Sequence, residues 1–263
     1  MSRDHPVKAY RNLSFLTSPP ARPLRILAEY EEPRRRFLRH SVENTIVFFG
    51  SARARPPDGP PPAPDQAGTT EPATTGRARL TRYYEEAQQL AERLTHWSRT
   101  LYPPEQHYVV ATGGGPGIME AANRGAAAAQ GLTAGLGISL PFEEAQNRFT
   151  SPSLQFEFHY FFMRKYWFAY LAKAVVAFPG GLGTLDEVLE VLTLIQTGKM
   201  TKPLPVVLYG KDFWTKVLRF DELLQWETIS PEDTSLFHLS DSVDDAYQFL
   251  IEKLSAQQQP TPT

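Results

Sequence analysis

The run Pro179-Gly180-Gly181-Leu182-Gly183-Thr184-Leu185-Asp186-Glu187 joins two things a reaction site needs: a turn able to take an anion and a carboxylate able to move a proton. It follows Ala174–Phe178, an apolar run that reads as a buried strand, and it leads into Val188–Ile195, which reads as a helix. Backbone N–H groups at a helix start have no partner within the helix, and the dipole there favours negative charge. Glycines let a phosphate approach that backbone with no Cβ in the way. Gly180, Gly181, Leu182, Gly183, Thr184, Leu185 and Asp186 are therefore the expected anion-side binding residues. Glu187, just inside the first turn, is the expected catalytic carboxylate. The dipole is expected to hold it ionised at neutral pH, which suits a base or an electrostatic stabiliser better than an acid. The alternative is a carboxylate that only complements the dipole.

A second glycine cluster, Gly113-Gly114-Gly115-Pro116-Gly117, follows another apolar run, Tyr108–Thr112, so both turns should open on the same sheet edge, with Gly114 and Gly115 as candidate ligand contacts. Neither cluster is a nucleoside-triphosphate loop, because Gly198-Lys199 is followed by Met200 where that loop needs Ser or Thr. Ile118 stands where the third glycine of a dinucleotide fingerprint belongs, so nicotinamide chemistry is unsupported as well. Between the clusters, Phe161–Phe168 sets Arg164 and Lys165 among aromatic residues. An arginine keeps its charge and can fork onto a phosphate or carboxylate. The alternative is an aromatic helix face that packs while both cations reach water. Gly50 and Ser51 close the apolar run Thr45–Phe49; they either touch a ligand at the C-terminal end of that strand or form a plain turn.

These residues need a scaffold, and the chain is built to give one. Apolar strand-like runs alternate with helical periodicity: Leu80–Trp97 reads as a helix, Leu132–Leu140 and Leu154–Phe158 as strands, Phe161–Lys173 as a helix, Pro205–Tyr209 as a strand, Asp212–Trp226 and Val243–Leu254 as helices. That alternation implies an α/β fold, a Rossmann-like doubly wound, mostly parallel sheet with helices on both faces. Two short helices are expected within residues 1–40, one Rossmann-like domain over 41–254, and a polar tail over 255–263. Residues 56–76 hold seven of the 23 prolines and almost no large apolar side chain, so a mobile surface insertion is expected there.

Composition removes several classes of function. The net charge of −2 argues against a nucleic-acid partner held by counterion release. With no cysteine there is no thiolate chemistry, and no two of the six histidines stand at His-x-x-x-His spacing, so no metal site is expected. No apolar run approaches the ~20 residues of a membrane span and the N-terminus lacks a signal-peptide pattern, so a cytoplasmic protein without a membrane partner is expected.

PGGLGTLDE at 179–187, MRK at 163–165 and GGGPGIMEAANRGA at 113–126 together closely resemble the Lonely Guy (LOG) family, long mislabelled as lysine decarboxylases. Pro179, Gly180, Gly181, Gly183, Thr184 and Glu187 satisfy every fixed position of that family's PGGxGTxxE motif, and Arg164-Lys165 supplies its upstream pair. The resemblance implies hydrolysis of nucleoside 5′-monophosphates, AMP or cytokinin ribotides, to free base and ribose 5-phosphate, with no cofactor. It makes Arg164 and Glu187 the catalytic pair, puts Gly181, Leu182, Gly183 and Thr184 at the phosphate, and has Lys165 and Thr193 line the nucleotide site. Thr193, six residues past Glu187, is also expected within reach of its helix face. A homodimer or higher homo-oligomer, with residues of both chains near each site, is implied too. Met163 directly abuts Arg164, unlike in compact plant-type members, and the aromatic-rich context, the long N-terminal segment and the proline insertion fit the larger bacterial branch. Related molybdenum-cofactor carriers keep the glycine turn but need neither Glu187 nor the Arg164-Lys165 pair.

Overall fold

Strands buried on both faces need near-continuous apolar sequence, and most of the strands here have it. They are β1 (Asn44–Phe49), β2 (Tyr108–Thr112), β3 (Thr133–Ile138), β4 (Gln155–Phe158), β5 (Ala172–Ala177), β6 (Val206–Tyr209) and β7 (His238–Ser240). In this computed structural model, which describes residues 6–57, 73–139 and 146–258, they form one seven-stranded sheet in the order β4-β3-β2-β1-β5-β6-β7. Every pairing is parallel. The helices are α1 (Leu13–Leu16), α2 (Arg22–Arg39), α3 (Ala73–Leu101), α4 (Ile118–Ala128), α5 (Phe161–Leu171), α6 (Leu182–Gln196), α7 (Lys211–Val217), α8 (Phe220–Gln225) and α9 (Val243–Gln258). Phe37, Trp167, Phe168, Val188 and Trp214 pack α2, α5, α6 and α7 on one face. Leu90, Leu94, Ala122 and Leu250 pack α3, α4 and α9 on the other. The fold is thus α/β, Rossmann-like and wound on both faces.

From β1 the chain steps outward through β2, β3 and β4, then crosses back by α5 to β5 on the other side of β1. The strand order reverses between β1 and β5, and open parallel sheets bind ligands in the crevice at the C-terminal ends of such a pair. Gly50 and Pro179–Gly181 sit there.

Several boundaries differ from expectation. The N-terminal segment holds the four-residue α1 and one 18-residue helix, α2, with Pro33 inside it. Pro33 is buried with Phe37 on the packed face, so tertiary burial overrides the local break. The helix expected over 212–226 divides at Leu218, whose backbone is extended. Ala172 pairs with Thr45 of β1, so β5 starts where helix was expected to continue. Helix α3 begins at Ala73, inside the expected mobile insertion, and α9 runs to Gln258, past the expected start of the tail. Residues 58–72 of the insertion and 259–263 of the tail lie outside the described residues. Among the described residues no helix is long and apolar enough to cross a membrane, and no group of three or more His, Asp or Glu side chains could hold a metal ion.

Candidate active site

Three turns meet at the reversal point. Ser51 N donates to Pro179 O at 3.0 Å, and Ile118 N donates to Ser51 O at 3.0 Å, so the β1 turn is stitched to both glycine turns. Glycine is required at two of these approaches. A Cβ on Gly50 would lie 2.7 Å from the Ile118 side chain, and one on Gly117, at φ +76°, would collide with Ser51 O. The Ser51 hydroxyl accepts from Arg53 N at 3.1 Å, so it serves its own turn.

Helix α6 starts on Gly181 with no side chain capping it. A Cβ on Gly181 or Gly183 would meet nothing within 4 Å, and Leu182 is 85% exposed. The first N–H groups of α6 thus have no side-chain cap and lie on an exposed turn, as an anion site requires. Gly180 serves a different purpose, because a Cβ there would collide with Thr184 Oγ1 and its absence lets the turn close over the buried Thr184. Leu185 donates its N–H to Gly181 O at 3.1 Å and packs against the core, and Asp186 turns to Lys165. Exposed backbone thus narrows to residues 181–183, followed by the buried Thr184, whose N–H also precedes the first helical bond. Alanine at position 183 fills only empty space and removes a helical glycine, a change worth up to ~1 kcal/mol in favour of the fold. Gly183→Ala is expected to melt no lower than wild type while its affinity for inorganic phosphate falls at least about fivefold. Thermal denaturation and calorimetric titration check this; an unchanged affinity removes residue 183 from the anion site.

The second glycine turn is held by a buried polar network. Gly114 N donates to Thr112 Oγ1 at 2.9 Å, and that hydroxyl donates to Asn123 Oδ1 at 2.7 Å. Asn147 Nδ2 donates to Gly114 O at 3.0 Å, Gly115 O at 3.1 Å and Asn123 Oδ1 at 2.9 Å. Asn147 was missed by sequence reasoning, since a lone asparagine in a polar loop carries no local signal of a partner 33 residues away.

The adjacent cations of α5 diverge. Arg164 Nε donates to Leu136 O of β3 at 2.9 Å, and its guanidinium lies 5.3 Å from the Phe168 ring centre. A Cβ on Gly113 would lie 2.6 Å from Arg164 Nη2, so the guanidinium lies directly against the second glycine turn. Lys165 Nζ instead pairs with Asp186 Oδ2 at 2.9 Å and Glu190 Oε2 at 2.7 Å, bridging α5 to α6. Burial alone would lower the Lys165 pKa, but hydrogen bonds to Glu190 and Asp186 and the charge of Glu187 reverse this and raise it. Thr193 is exposed and donates its hydroxyl to Leu189 O at 2.7 Å. Six residues span about 600° of helix, which turns Thr193 to a different side of α6 from the buried Glu187, so the expected shared face is not formed.

Glu187 lies in the second turn of α6 rather than the first, and it is 8% exposed. Burial pushes its pKa up to about 7, against the pull of the Arg164 and Lys165 charges and with added repulsion from Glu190 and Asp186. The expectation that the dipole holds it fully ionised is corrected: a second-turn position weakens the dipole, and loss of water dominates. The carboxyl borders a small recess with Val47, Phe49, Phe168, Ala172 and Val191, whose open space of about 10 Å³ is about that of one water. A much larger groove, about 730 Å³, lies between α3 and α4 and holds neither glycine turn nor Glu187.

Residues 119–250, half of the chain, match the family model described as "Possible lysine decarboxylase". No curated protein matches the chain. Among solved structures, the structural-genomics protein TM1055 is similar at 22% identity and a TM-score of 0.51, covering 80% of this chain and 99% of its own. The molybdenum cofactor binding protein of Rippkaea orientalis is 20% identical, with coverage of 80% and 96% and a TM-score of 0.46. The molybdenum cofactor carrier protein of Chlamydomonas reinhardtii is 19% identical, with coverage of 81% and 99% and a TM-score of 0.48. At such identities the first likeness shows the fold alone, and the other two add nothing to it. The family match spans half the chain and includes both the 179–187 turn and the Arg164-Lys165 pair, and on it the chain belongs to the Lonely Guy (LOG) family.

Proposed function

We propose that the protein hydrolyses the N-glycosidic bond of purine nucleoside 5′-monophosphates, AMP and cytokinin ribotides being the candidate substrates, to free base and ribose 5-phosphate. The observation that carries this reading is on α6: a buried carboxyl with a pKa near 7 follows, within two turns, an uncapped and open helix start. The 5′-phosphate docks on the N–H groups of residues 181–184, and this binding, remote from the bond that breaks, positions C1′. As the C1′–N bond lengthens, its electron pair moves to the base and the ribose becomes oxocarbenium-like. Ionised Glu187 stabilises that cation and takes a proton from the water that attacks C1′, while the departing base is protonated from solvent. A pKa close to the working pH suits this exchange. Arg164 offsets the repulsion between phosphate and carboxylate, and Lys165 acts on Glu187 through its charge rather than by direct contact with the nucleotide.

No cofactor is needed for this chemistry. A decarboxylase using a pyridoxal Schiff base would need a lysine beside the glycine turns that can become neutral; Lys165 is doubly paired and held charged, and Lys202, whose pKa burial lowers to about 8, is bound to Ala169 O and Tyr170 O at the far end of α5. The same reading includes a homo-oligomer, supported by the exposed Phe161, Phe162 and Tyr170 on α5.

The test is release of adenine from AMP by the purified chain, with isopentenyl-AMP in parallel and free base followed by chromatography. Turnover with equimolar ribose 5-phosphate is expected. Tight AMP binding without any cleavage overturns the hydrolase reading in favour of a nucleotide or cofactor carrier.

A further inference from the structure

Helix α2 lies N-terminal to the residues that match the family model, yet it grips the helix that carries Arg164. The Glu29 carboxylate accepts His159 N at 2.9 Å through Oε1 and Tyr160 N at 3.2 Å through Oε2. The Glu29 carbonyl accepts Trp167 Nε1 at 3.0 Å, further along α5. Tyr160 is the N-cap of α5 and provides no side-chain cap of its own, so this distant carboxylate caps the helix across 130 residues of chain. A negative charge at a helix start also meets the positive end of the dipole. The grip is braced by neighbours. Tyr30 packs on Tyr166 and Trp167, and Phe37 packs on Phe156 and Trp167. Arg36 lies over the Phe156 ring at 4.0 Å and donates to Gln155 O of the edge strand β4 at 2.7 Å.

The next turn is the one that matters for chemistry. Met163 N and Arg164 N donate to Tyr160 O at 3.1 and 3.2 Å, so the first turn of α5 hangs on the residue that Glu29 holds. Arg164 reaches Leu136 O and the Gly113 turn from there. We propose that Glu29 is a positioning residue: by holding the two amides that lead into α5 it fixes the turn from which Arg164 reaches the site, so a helix that lines no part of the site governs its turnover. This rests on the hydrolase reading for its activity arm only.

The test uses Glu29→Gln and Glu29→Ala in the full chain, with AMP kinetics and amide hydrogen exchange over 159–165. The glutamine keeps an accepting oxygen but loses the charge, so its bonds weaken; the alanine loses both. Displacement of a catalytic group by about 1 Å costs on the order of 100-fold in rate. Glu29→Ala is expected to lose about 10- to 100-fold in kcat with KM within about threefold, and Glu29→Gln to fall between it and wild type. Exchange over 159–165 rises in the same order. A folded variant with unchanged kcat overturns the proposal, whether or not exchange rises, and so does unchanged exchange in both variants. If Glu29→Ala does not fold, the glutamine variant decides by the same two readouts. If wild-type protein releases no adenine, the hydrolase reading fails, and the exchange arm alone still supports or overturns the clamp.

Discussion

Glu187→Gln is expected to release adenine from AMP at less than about a hundredth of the wild-type rate, and at pH 8 to melt higher than wild type. The two effects have one cause. A carboxyl at 8% exposure with a pKa of about 7 is held there chiefly by lost hydration. Against an unfolded value of 4.5, the folded group binds its proton more tightly, so this group favours the fold most at low pH. Its contribution is lost as pH rises from about 4.5 to about 7, and above that the cost is full, on the order of 3 kcal/mol. Glutamine has the shape without the charge and escapes that cost. At about 2–4 °C per kcal/mol for a chain of this size, Tm at pH 8 is expected to rise by about 5 °C or more, with the difference fading near pH 4.5. AMP binding should stay within about threefold, since the substitution leaves the proposed phosphate site at residues 181–184 untouched. Wild-type activity should climb with pH through about 7 as Glu187 ionises. Calorimetry at the two pH values and a pH–rate profile measure this. A glutamine variant that melts lower at pH 8, or keeps its activity, removes Glu187 from the role assigned.

Arg164→Lys is expected to lose about 100-fold or more in kcat/KM although the charge is kept. The guanidinium makes several directed contacts at once, donating to Leu136 O, lying over Phe168 and pressing against the Gly113 turn. A single ammonium cannot make these together. Arg164→Ala also removes the main charge that draws the Glu187 pKa down, so the acid limb of its residual activity should move upward from about 7. Kinetics across about pH 5–9 on both variants test the pair. A lysine variant with wild-type kcat/KM would show that charge alone is needed, and an unmoved acid limb in the alanine variant would sever Arg164 from Glu187.

The strand–turn–helix unit 174–195 was legible because its signals are local: an apolar run, glycines, and a helical period follow one another along the chain. The same holds for the parallel α/β class and for the family motifs. His238–Ser240 was not legible as a strand, because three residues of mixed polarity carry no period, and only pairing with β6 makes them one. Arg164 and Lys165 looked like one paired cationic unit, and neighbours on a helix do point about 100° apart, but which partner each would find depended on how α5 packs between β3 and α6. The charge state of Glu187 was misjudged for a related reason. A dipole can be read from position in a helix, whereas desolvation depends on what other segments bury, and here Val47, Phe49 and Phe168 come from distant parts of the chain. Asn147 and Glu29 escaped altogether, since each acts on backbone 33 or 130 residues away. By itself, then, the sequence determined the layered sheet, the glycine turn between β5 and α6, and the family, all of which follow from near-neighbour chemistry. Which side chains are ionised, which are paired and what holds α5 in place were decided only by tertiary packing, because burial and long-range contact have no counterpart in local order along a chain.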